Sequence, residues 1–361
     1  MKRSLVLLVC LCITAAADPV RSCTTFCFAD GGQVIFGKNY DWNVDDGHVL
    51  VNKRGVSRGS LDPGGSGDPA RWKSRYGSVT FNQYGRDFPS GGMNEKGLVV
   101  ELMWLDETVY PAADKRPALG VLEWIQYQMD MSATVADVIA SDAAIRIAGR
   151  SPLHYLVADE TGRAAVIEFL DGRMTTHTGA TLPVAALTNN TYEDSLAFFS
   201  KTRAAGRPAP DGVESLHRFA RTAQRVSDYR RLPADKAVAH AFDTLAAAGN
   251  ESTQWSIVYD AVGRRVHFKT RRQRGIRSLD VGMLDFACDS PVLMADMNAA
   301  APGDITRALV GWSVEANIAL VRSAYAKTAF LAGVPETEIQ KVGRSPLAGV
   351  CARSQGGAGA P

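Results

Sequence analysis

One cysteine lies in a stretch of sequence whose residue types could make it a nucleophile. The stretch VRSCTTFCFADGGQVIFGKNYDW places Cys23 shortly before Lys38 and Asp41. A thiol with a pKa of about 8.5 becomes a useful nucleophile when a cation lowers that pKa or a base accepts its proton. Lys38 could supply the cation. The α-amino group of Cys23, with a pKa of about 8 in a model peptide, could be the base if the chain were cut just before this residue.

A β-hairpin would bring these side chains together. The residues Asp30-Gly31-Gly32 separate two strand-like segments, which is a strong hairpin signal. If the first two of them form the turn, Cys23 faces Lys38. If the two glycines form the turn, Cys23 faces Tyr40. The sequence leaves both registers open, and each places Lys38 and Asp41 within a few residues of the position opposite the thiol.

The first 22 residues are typical of a segment that is removed. A short basic start, an apolar run and the small residues Ala15-Ala16-Ala17 follow one another, which predicts a signal peptide over residues 1–17. Residues 18–22 would remain as a short propeptide that Cys23 could remove by attacking the preceding peptide bond. No later stretch reaches about 18 consecutive apolar residues. We therefore expect a secreted or periplasmic protein without membrane insertion after leader removal.

Two other roles for Cys23 remain open from its position alone. A buried structural cysteine in an edge strand would need no special partners. A lipidated cysteine would need small residues just before it, and Arg21 departs from that pattern. The mass of the mature N-terminus distinguishes a free Cys23, an internal Cys23 and a lipid adduct.

Composition and charge limit the classes of partner. The chain has 361 residues, of which 46% are apolar, enough for one large domain or two modest ones. The formal net charge is +2, and residues 1–22 contain three basic residues and one acidic residue, so the remainder is neutral. A neutral chain gives no electrostatic reason to expect a nucleic acid or an anionic membrane as partner.

The remaining cysteines do not form a disulfide-rich framework or a metal motif. Outside the leader the chain has Cys23, Cys27, Cys288 and Cys351, too few for a disulfide scaffold in a domain of this size. Cys288 and Cys351 could pair in an oxidising compartment. No GxGxxG, Walker, HExxH or paired CxxC motif occurs, and no histidine pair has metal-site spacing. We expect neither a metal nor a cofactor.

Strand and helix patterns occur in blocks along the rest of the chain. Turn residues separate strand-like segments in residues 154–177 and 254–270, which predicts antiparallel strands. This organisation favours the α+β class over a βαβ nucleotide-binding fold. Apolar residues at helical spacing predict helices at residues 119–129, 135–143, 234–248 and, as the longest helical run, 305–332.

Five motifs together resemble one protein family. They are Cys-Thr after the leader, FGKNYDW from Phe36, GGMNEKGL at 91–98, LTNN at 187–190 and HRFAR at 217–221. In this order and spacing they look like the choloylglycine hydrolase/penicillin V acylase family, cysteine N-terminal-nucleophile hydrolases that cleave linear amide bonds. The resemblance runs from Cys23 to about Thr270, with a family-like segment continuing to about Asn298.

The resemblance implies roles for individual residues. Cys23 would be the nucleophile through its thiol and the base through its α-amine, with Asp41 orienting that amine. Asn189 would donate its amide N–H to the developing oxyanion, and Arg218 would lie near the nucleophile. Lys38 stands where many members have arginine; it supplies the charge without the planar fork. Without the resemblance, Asp41 and Asn189 would be turn residues and Arg218 a surface helix residue.

Two tryptophans resemble the Gram-negative penicillin acylase branch of that family. Trp104 lies ten residues after Asn94, where the family places a residue whose backbone N–H completes the oxyanion hole. Trp42 follows Asp41 directly. The resemblance implies that both indoles contact the substrate and favour an apolar acyl group, whereas the alternative is two core tryptophans. Asn94 itself is expected to organise a turn.

The resemblance implies a four-layer αββα sandwich of the N-terminal-nucleophile hydrolases. We assign residues 23–340 to this catalytic domain and residues 341–361 to a flexible C-terminal tail. The expected substrate is a small-molecule N-acyl amide: a phenoxyacetyl penicillin, a conjugated bile salt or an N-acyl homoserine lactone. The family also implies a homotetramer. The rival hypotheses are a papain-like hydrolase that pairs Cys23 with a histidine, and an exported binding protein without catalysis.

Overall fold

The computed structural model describes residues 22–61, 67–299 and 301–351. The predicted signal peptide, all but the last residue of the predicted propeptide, and residues 352–361 of the predicted tail lie outside these ranges. Seven helices occur in the described ranges: α1 Val121–Met131, α2 Val135–Ala140, α3 Tyr192–Ala204, α4 Ser215–Asp228, α5 Ala234–Ala248, α6 Val314–Lys327 and α7 Glu336–Arg344.

The strands of the same ranges are short and mostly antiparallel. In chain order they are β1 Thr24–Asp30, β2 Gln33–Asp41, β3 His48–Asn52, β4 Val56–Gly59, β5 Arg71–Lys73, β6 Ser78–Asn82, β7 Pro89–Asn94, β8 Val99–Trp104, β9 Ala118–Leu119, β10 Arg146–Ile147, β11 Leu153–Ala158, β12 Ala164–Leu170, β13 Arg173–Thr178, β14 Ala186–Leu187, β15 Thr253–Asp260, β16 Arg265–Thr270, β17 Arg277–Asp280, β18 Leu293–Asp296, β19 Gly303–Asp304, β20 Val310–Gly311 and β21 Val350–Cys351.

Two large sheets form the centre of the fold. One has the strand order β14-β1-β2-β15-β16-β17-β19, and the other has the order β13-β12-β11-β8-β7-β6-β3-β18-β20. Every residue of β11, with the sequence LHYLVA, is buried. A strand covered on both faces needs apolar residues at nearly every position rather than an alternating pattern. Both predicted antiparallel regions, β11–β13 and β15–β16, are confirmed.

Helices cover the outer face of each large sheet, which gives four layers. Helices α4 and α5 pack on the seven-stranded sheet through β1, β2 and β15, whereas α1 packs on β7 and β8 of the nine-stranded sheet. The inner faces of the sheets contact each other: the Thr25 hydroxyl lies 3.3 Å from the Met103 sulfur, and the Tyr259 hydroxyl donates to the Glu101 carboxylate. The predicted α+β class and four-layer αββα sandwich are confirmed.

The register of the first hairpin is set by its turn. Gly31 and Gly32 have φ angles of 56° and 77°. A type I′ turn needs positive φ at both central residues, which two glycines provide without strain, whereas the alternative turn would place an aspartate there. The pairing of β1 with β2 therefore continues toward Cys23 opposite Tyr40, and Thr25 is the partner of Lys38. The alternative register, in which Cys23 would lie opposite Lys38, is wrong.

The predicted long helix at residues 305–332 is also wrong. A 3₁₀ turn at Thr306–Ala308 and the strand β20 occupy its first part, and helix α6 begins only after Ser313, whose side chain accepts a hydrogen bond from the Ala316 N–H. Such a cap fixes the start of a helix. With 15 residues α5 is longer than α6, which has 14, and α5 ends at Gly249 as its sequence predicts.

The predicted boundary of the flexible tail at residue 341 needs correction as well. Helix α7 crosses that boundary, and ordered structure continues to Cys351 in β21, which pairs with β4. Cys351 forms a disulfide with Cys288, so the candidate pairing of these two cysteines is confirmed. The disulfide and the sheet pairing attach the end of the described chain to the main domain.

Candidate active site

The hairpin brings the thiol and the aspartate together. Cys23 lies one residue before β1, and Asp41 is the last residue of β2. The Cys23 thiol lies 3.8 Å from the Asp41 carbonyl oxygen, at hydrogen-bond distance for sulfur. Both residues are buried, with exposed fractions of 4% and 0%. The site therefore lies inside the sandwich, at the point where β1 begins and β2 ends.

The Asp41 carboxylate has one satisfied and one unsatisfied oxygen. The Asn250 side-chain amide lies 3.4 Å from Oδ2, whereas Oδ1 is buried without a hydrogen-bond partner among the described residues. Burial raises the pKa of Asp41 to about 6, although Thr253, Arg218 and Lys38 favour its ionised form. A buried carboxylate oxygen without a donor is costly, so this position favours a donor group.

The thiol is not activated by its surroundings alone. Burial raises the pKa of the Cys23 thiol, and the Asp41 carboxylate acts in the same direction. The charges of Lys38 and Arg218 lower it but do not outweigh burial. A raised pKa means that the thiol remains protonated near neutral pH. Attack on a substrate therefore needs a base close to the sulfur.

Lys38 lies beneath the site rather than in a cavity wall. Its ammonium donates a hydrogen bond to the Leu102 carbonyl and lies 5.7 Å from the centre of the Tyr40 ring. Its charge also acts on Glu101, a fully buried carboxyl group of β8. Burial raises the pKa of Glu101 to about 7, with Lys38 and the Tyr259 hydroxyl only partly opposing that effect.

Arg218 connects the nucleophile to the predicted oxyanion residue. From α4 its Nη1 donates to the Cys23 carbonyl at 2.6 Å and to the Thr24 hydroxyl at 2.7 Å. Its Nη2 donates to Asn189 Oδ1 at 2.9 Å, and its Nε donates to the Val213 carbonyl at 2.9 Å. The guanidinium is 1% exposed. Because all three nitrogens donate hydrogen bonds, the planar guanidinium fixes the position of Asn189 relative to Cys23 and Thr24.

Asn189 has its side chain held from two sides. Arg218 fixes its oxygen, so its Nδ2 is identified as the donor, which hydrogen-bonds to the Trp104 carbonyl at 2.9 Å. The amide has two N–H groups, and this bond uses one of them. The backbone N–H of Asn189 donates to the Ser215 hydroxyl at 2.8 Å. The structure thus brings Asn189 beside Trp104, as the sequence implies.

The two tryptophans stack at the mouth of one cavity. The ring centres of Trp42 and Trp104 lie 5.9 Å apart with an angle of 25° between the planes. The cavity has a volume of about 330 Å³, and Cys23 and Asp41 line it with both indoles. Most of its other lining is apolar or aromatic: Tyr40, Leu61, Tyr84, Phe88, Leu102, Val121, Leu122, Leu153, Tyr325, Phe330, Leu331 and Val342.

The C-terminal wall of this cavity escaped the sequence analysis. Tyr325 comes from α6, Phe330 and Leu331 follow that helix, and Val342 from α7 lies within the segment we had assigned to the flexible tail. The hydrophobic periodicity of α7 and the candidate partner of Cys351 were the available signals that this segment packs.

Tyr84 links the predicted and the missed parts of the pocket. Its hydroxyl accepts a hydrogen bond from the Trp42 indole at 2.8 Å and lies 3.0 Å from the Thr328 hydroxyl, just after α6. No motif singled out this tyrosine, because its partners lie 42 and 244 residues away. Asn250, the donor to Asp41, was missed for the same reason.

Other chemistries find little support in this geometry. None of the described residues that line the cavity is a histidine, which is unlike the pairing that a papain-type site needs. No group of three or more histidine, cysteine or acidic side chains suited to a metal occurs among the described residues. In the described part of the chain no helix is both long and apolar enough to cross a bilayer.

Comparison with known proteins agrees with the geometry. Residues 23–294 match the family of linear amide C–N hydrolases known as the choloylglycine hydrolase family. A penicillin V acylase of Pectobacterium atrosepticum is 29% identical over 187 residues, which cover 46% of this chain and 49% of that protein. The alignment thus spans about half the length of that curated relative.

Two solved structures share the fold. Penicillin V acylase from Agrobacterium tumefaciens has a TM-score of 0.72 at 24% identity and covers 80% of this chain and 98% of its own. A mutant conjugated bile acid hydrolase from Clostridium perfringens has a TM-score of 0.63 at 14% identity, with 78% and 98% covered. The family match begins at Cys23 and includes the whole hairpin site, Asn189 and Arg218. The chain therefore belongs to the choloylglycine hydrolase family of linear amide C–N hydrolases.

Proposed function

We propose that this protein is a penicillin V acylase-like amidase that transfers an acyl group from an amide to Cys23 and then to water. The observation that carries the proposal is the arrangement of the thiol, Asp41 and the Arg218–Asn189 pair beside one apolar cavity. In this proposal the mature chain begins at Cys23, so the nucleophile and the base belong to the same residue.

The need for a base supports the N-terminal mechanism. Burial holds the thiol protonated, and none of the described residues lining the cavity is a histidine that could accept its proton. A free α-amine on Cys23 would be adjacent to the sulfur and would titrate near neutral pH. Asp41 Oδ1, buried without a partner among the described residues, could accept a hydrogen bond from that amine and keep it oriented.

The proposed reaction has two acyl-transfer steps. In the first, the sulfur attacks the amide carbonyl while the α-amine accepts the thiol proton, and the resulting ammonium donates that proton to the departing amine. In the second, water attacks the thioester and gives one proton to the α-amine, which returns it to the sulfur as the acid leaves. Asn189 Nδ2 and the Trp104 backbone N–H would stabilise the negative oxygen in both steps.

Burial of the cleavage point supports self-processing. Ser22 and Cys23 are 5% and 4% exposed, so an external peptidase would have poor access to the bond between them. Attack by the Cys23 sulfur on the Ser22 carbonyl would instead form a thioester that water cleaves, releasing the free amine. We propose that this follows export and removal of the predicted signal peptide.

The cavity supports an apolar acyl group as the recognised half of the substrate. Its volume of about 330 Å³ falls in the lower part of the usual range for small-molecule sites, about 300–1,000 Å³. Stacked indoles provide broad apolar faces next to the thiol. A phenoxyacetyl or medium-chain acyl group suits such a lining, and the penicillin V acylase relatives point the same way. Conjugated bile salts and N-acyl homoserine lactones are the alternatives.

Intact-mass and turnover measurements on exported protein test the proposal. Intact-mass analysis is expected to give a chain that begins at Cys23, and an active enzyme that retains Ser22 would contradict the mechanism. A panel of phenoxyacetyl penicillin, conjugated bile salt and N-acyl homoserine lactone is expected to show fastest turnover of the first. Cys23→Ser is expected to lose nearly all turnover, because a hydroxyl is a much poorer nucleophile. Binding without turnover by the mature wild-type protein would favour a binding protein.

A further inference from the structure

A buried histidine and glutamate lie behind the proposed oxyanion residue. His154 of β11 and Glu168 of β12 both have an exposed fraction of 0%. The His154 Nδ1 lies 3.2 Å from Glu168 Oε1, and its Nε2 lies 2.8 Å from the Thr188 carbonyl oxygen. Thr188 directly precedes Asn189. The proposed mechanism does not use either of the two buried side chains.

Both nitrogens of this imidazole face oxygen atoms that accept hydrogen bonds. A carbonyl oxygen only accepts hydrogen bonds, so Nε2 must carry a hydrogen. The Glu168 carboxylate also accepts, from the Tyr192 backbone N–H at 2.9 Å and from His154. Burial alone would raise the pKa of Glu168, but its contacts with His154 and His177 hold that pKa at about 2. An ionised Glu168 would accept a hydrogen bond from Nδ1 as well, so both ring nitrogens would act as donors.

The His154 contact holds one end of a single peptide group. The oxygen of the Thr188–Asn189 peptide accepts from His154 Nε2, and the nitrogen of the same peptide donates to the Ser215 hydroxyl at 2.8 Å. The Thr188 hydroxyl in turn donates to the Ser215 carbonyl at 3.1 Å. A peptide held at both its oxygen and its nitrogen leaves the next side chain little freedom of direction, which is what an oxyanion donor needs.

We propose that His154, kept as an imidazolium by Glu168, is a positioning residue that orients Asn189 for oxyanion stabilisation. The inference rests on the proposed role of Asn189. A second histidine contacts the same carboxylate: His177 of β13 has its Nε2 3.4 Å from Glu168 Oε2. His177 is therefore a matched control, because it contacts Oε2 of this carboxylate whereas His154 contacts Oε1.

Imidazole ¹⁵N NMR of the folded wild-type protein tests the charge state directly. Both ring nitrogens of His154 are expected to be protonated at pH 7.5, with the signal assigned by its absence from His154→Gln. A neutral His154 tautomer in this spectrum would overturn the inference. The charge state is read from the wild-type protein, and this measurement does not depend on which amide is the substrate.

Steady-state kinetics test the positioning. His154→Gln is expected to lower kcat about 10- to 100-fold with KM changed less than about threefold, because its amide oxygen would oppose the Glu168 carboxylate. His154→Gln/Glu168→Gln is expected to recover kcat to within about fivefold of wild type, since the new amide at 168 can donate to the one at 154. His177→Gln is expected to leave kcat unchanged.

A parallel measurement on Asn189→Ala separates two kinds of failure. If Asn189→Ala leaves kcat unchanged, the proposed function of that residue is wrong. If it lowers kcat whereas folded His154→Gln does not, only the present inference is wrong. Equal losses in His154→Gln and the double variant, with both proteins melting well above the assay temperature, would also overturn it.

Discussion

Arg218→Lys is the most informative single substitution at the site. The arginine makes four hydrogen bonds from a plane: two toward Cys23 and Thr24, one to Asn189 and one to Val213. A lysine ammonium has three donors on one atom and a different reach. It can retain the contacts at Cys23 and Thr24 but cannot also bridge to Asn189. The substitution therefore keeps the charge and removes the link between nucleophile and oxyanion donor.

The size of the effect follows from the lost contact. A hydrogen bond to a charged group contributes about 1.5–3 kcal/mol, and about 1.4 kcal/mol corresponds to a tenfold change in rate. If the Asn189 bond acts mainly in the transition state, kcat should fall about 10- to 100-fold in Arg218→Lys, with KM changed little. The loss of the Val213 contact should lower the free energy of unfolding by a further amount of about the same size.

Arg221→Lys is the matched control on the same helix. Like Arg218, Arg221 uses its whole guanidinium group as a donor. It donates to the backbone carbonyls of Pro210, Gly212 and Ala247, none of which belongs to the proposed site. Its substitution should lower the melting temperature without lowering kcat. Kinetics on a phenoxyacetyl amide and thermal melts of both variants are the assay. If the two variants lose stability equally and neither loses kcat, Arg218 is a structural cation and our reasoning is wrong.

Three further perturbations test other parts of the structure. Trp104→Ala retains the backbone N–H, so it should weaken binding of phenoxyacetyl and medium-chain amides more than of acetyl amides; an equal fall of kcat/KM for all three would make the indole a core residue. At a pH above 7, the free energy of unfolding of Glu101→Gln should exceed that of the wild type by about 3 kcal/mol. The native pKa of Glu101, about 7, exceeds the ordinary value of 4.5, so the folded state binds the extra proton and the free energy of unfolding of the wild type falls as the pH rises between these values. Denaturant titrations of wild type and variant should show no difference in the free energy of unfolding at pH 4.5 and the full difference at pH 8. A difference that is the same at both pH values would refute the assignment. Cys288→Ser/Cys351→Ser opens a loop of 63 residues and should cost about 4 kcal/mol relative to the disulfide-bonded wild type; an unchanged melting temperature would contradict this.

The sequence predicts those features that depend on neighbours along the chain. The glycine pair specifies the hairpin turn because only glycine adopts positive φ freely. Asn94 was expected to organise a turn, and its Oδ1 accepts from the Lys96 and Leu98 backbone N–H groups. Its Nδ2 donates to the Met129 and Ser132 carbonyls. The turn contacts with Lys96 and Leu98 have fixed sequence offsets of 2 and 4 residues, whereas those with Met129 and Ser132 lie 35 and 38 residues away.

Features that depend on distant partners could not be predicted in this way. The periodicity of α7 indicates that the helix has a buried face, but it does not show that Val342 lines the cavity; that position follows from the packing of α7 on α6 and from the disulfide near the chain end. The role of His154 depends on Glu168 and Thr188, 14 and 34 residues away. Periodicity gives the buried face of a strand, but it does not tell which polar groups will meet across it.

The position of β15 within its sheet bears on the order of folding and self-cleavage. This strand lies between β2 and β16, and the side chains that complete the surroundings of Cys23 and Asp41 follow 195 and 209 residues later, at Arg218 and Asn250. Contacts of such high sequence separation form late. Under the proposed mechanism, a chain that has not folded through β15 cannot cut itself before Cys23. Cleavage would then serve as a checkpoint: the amine that makes the enzyme active is released only in molecules whose central sheet is complete.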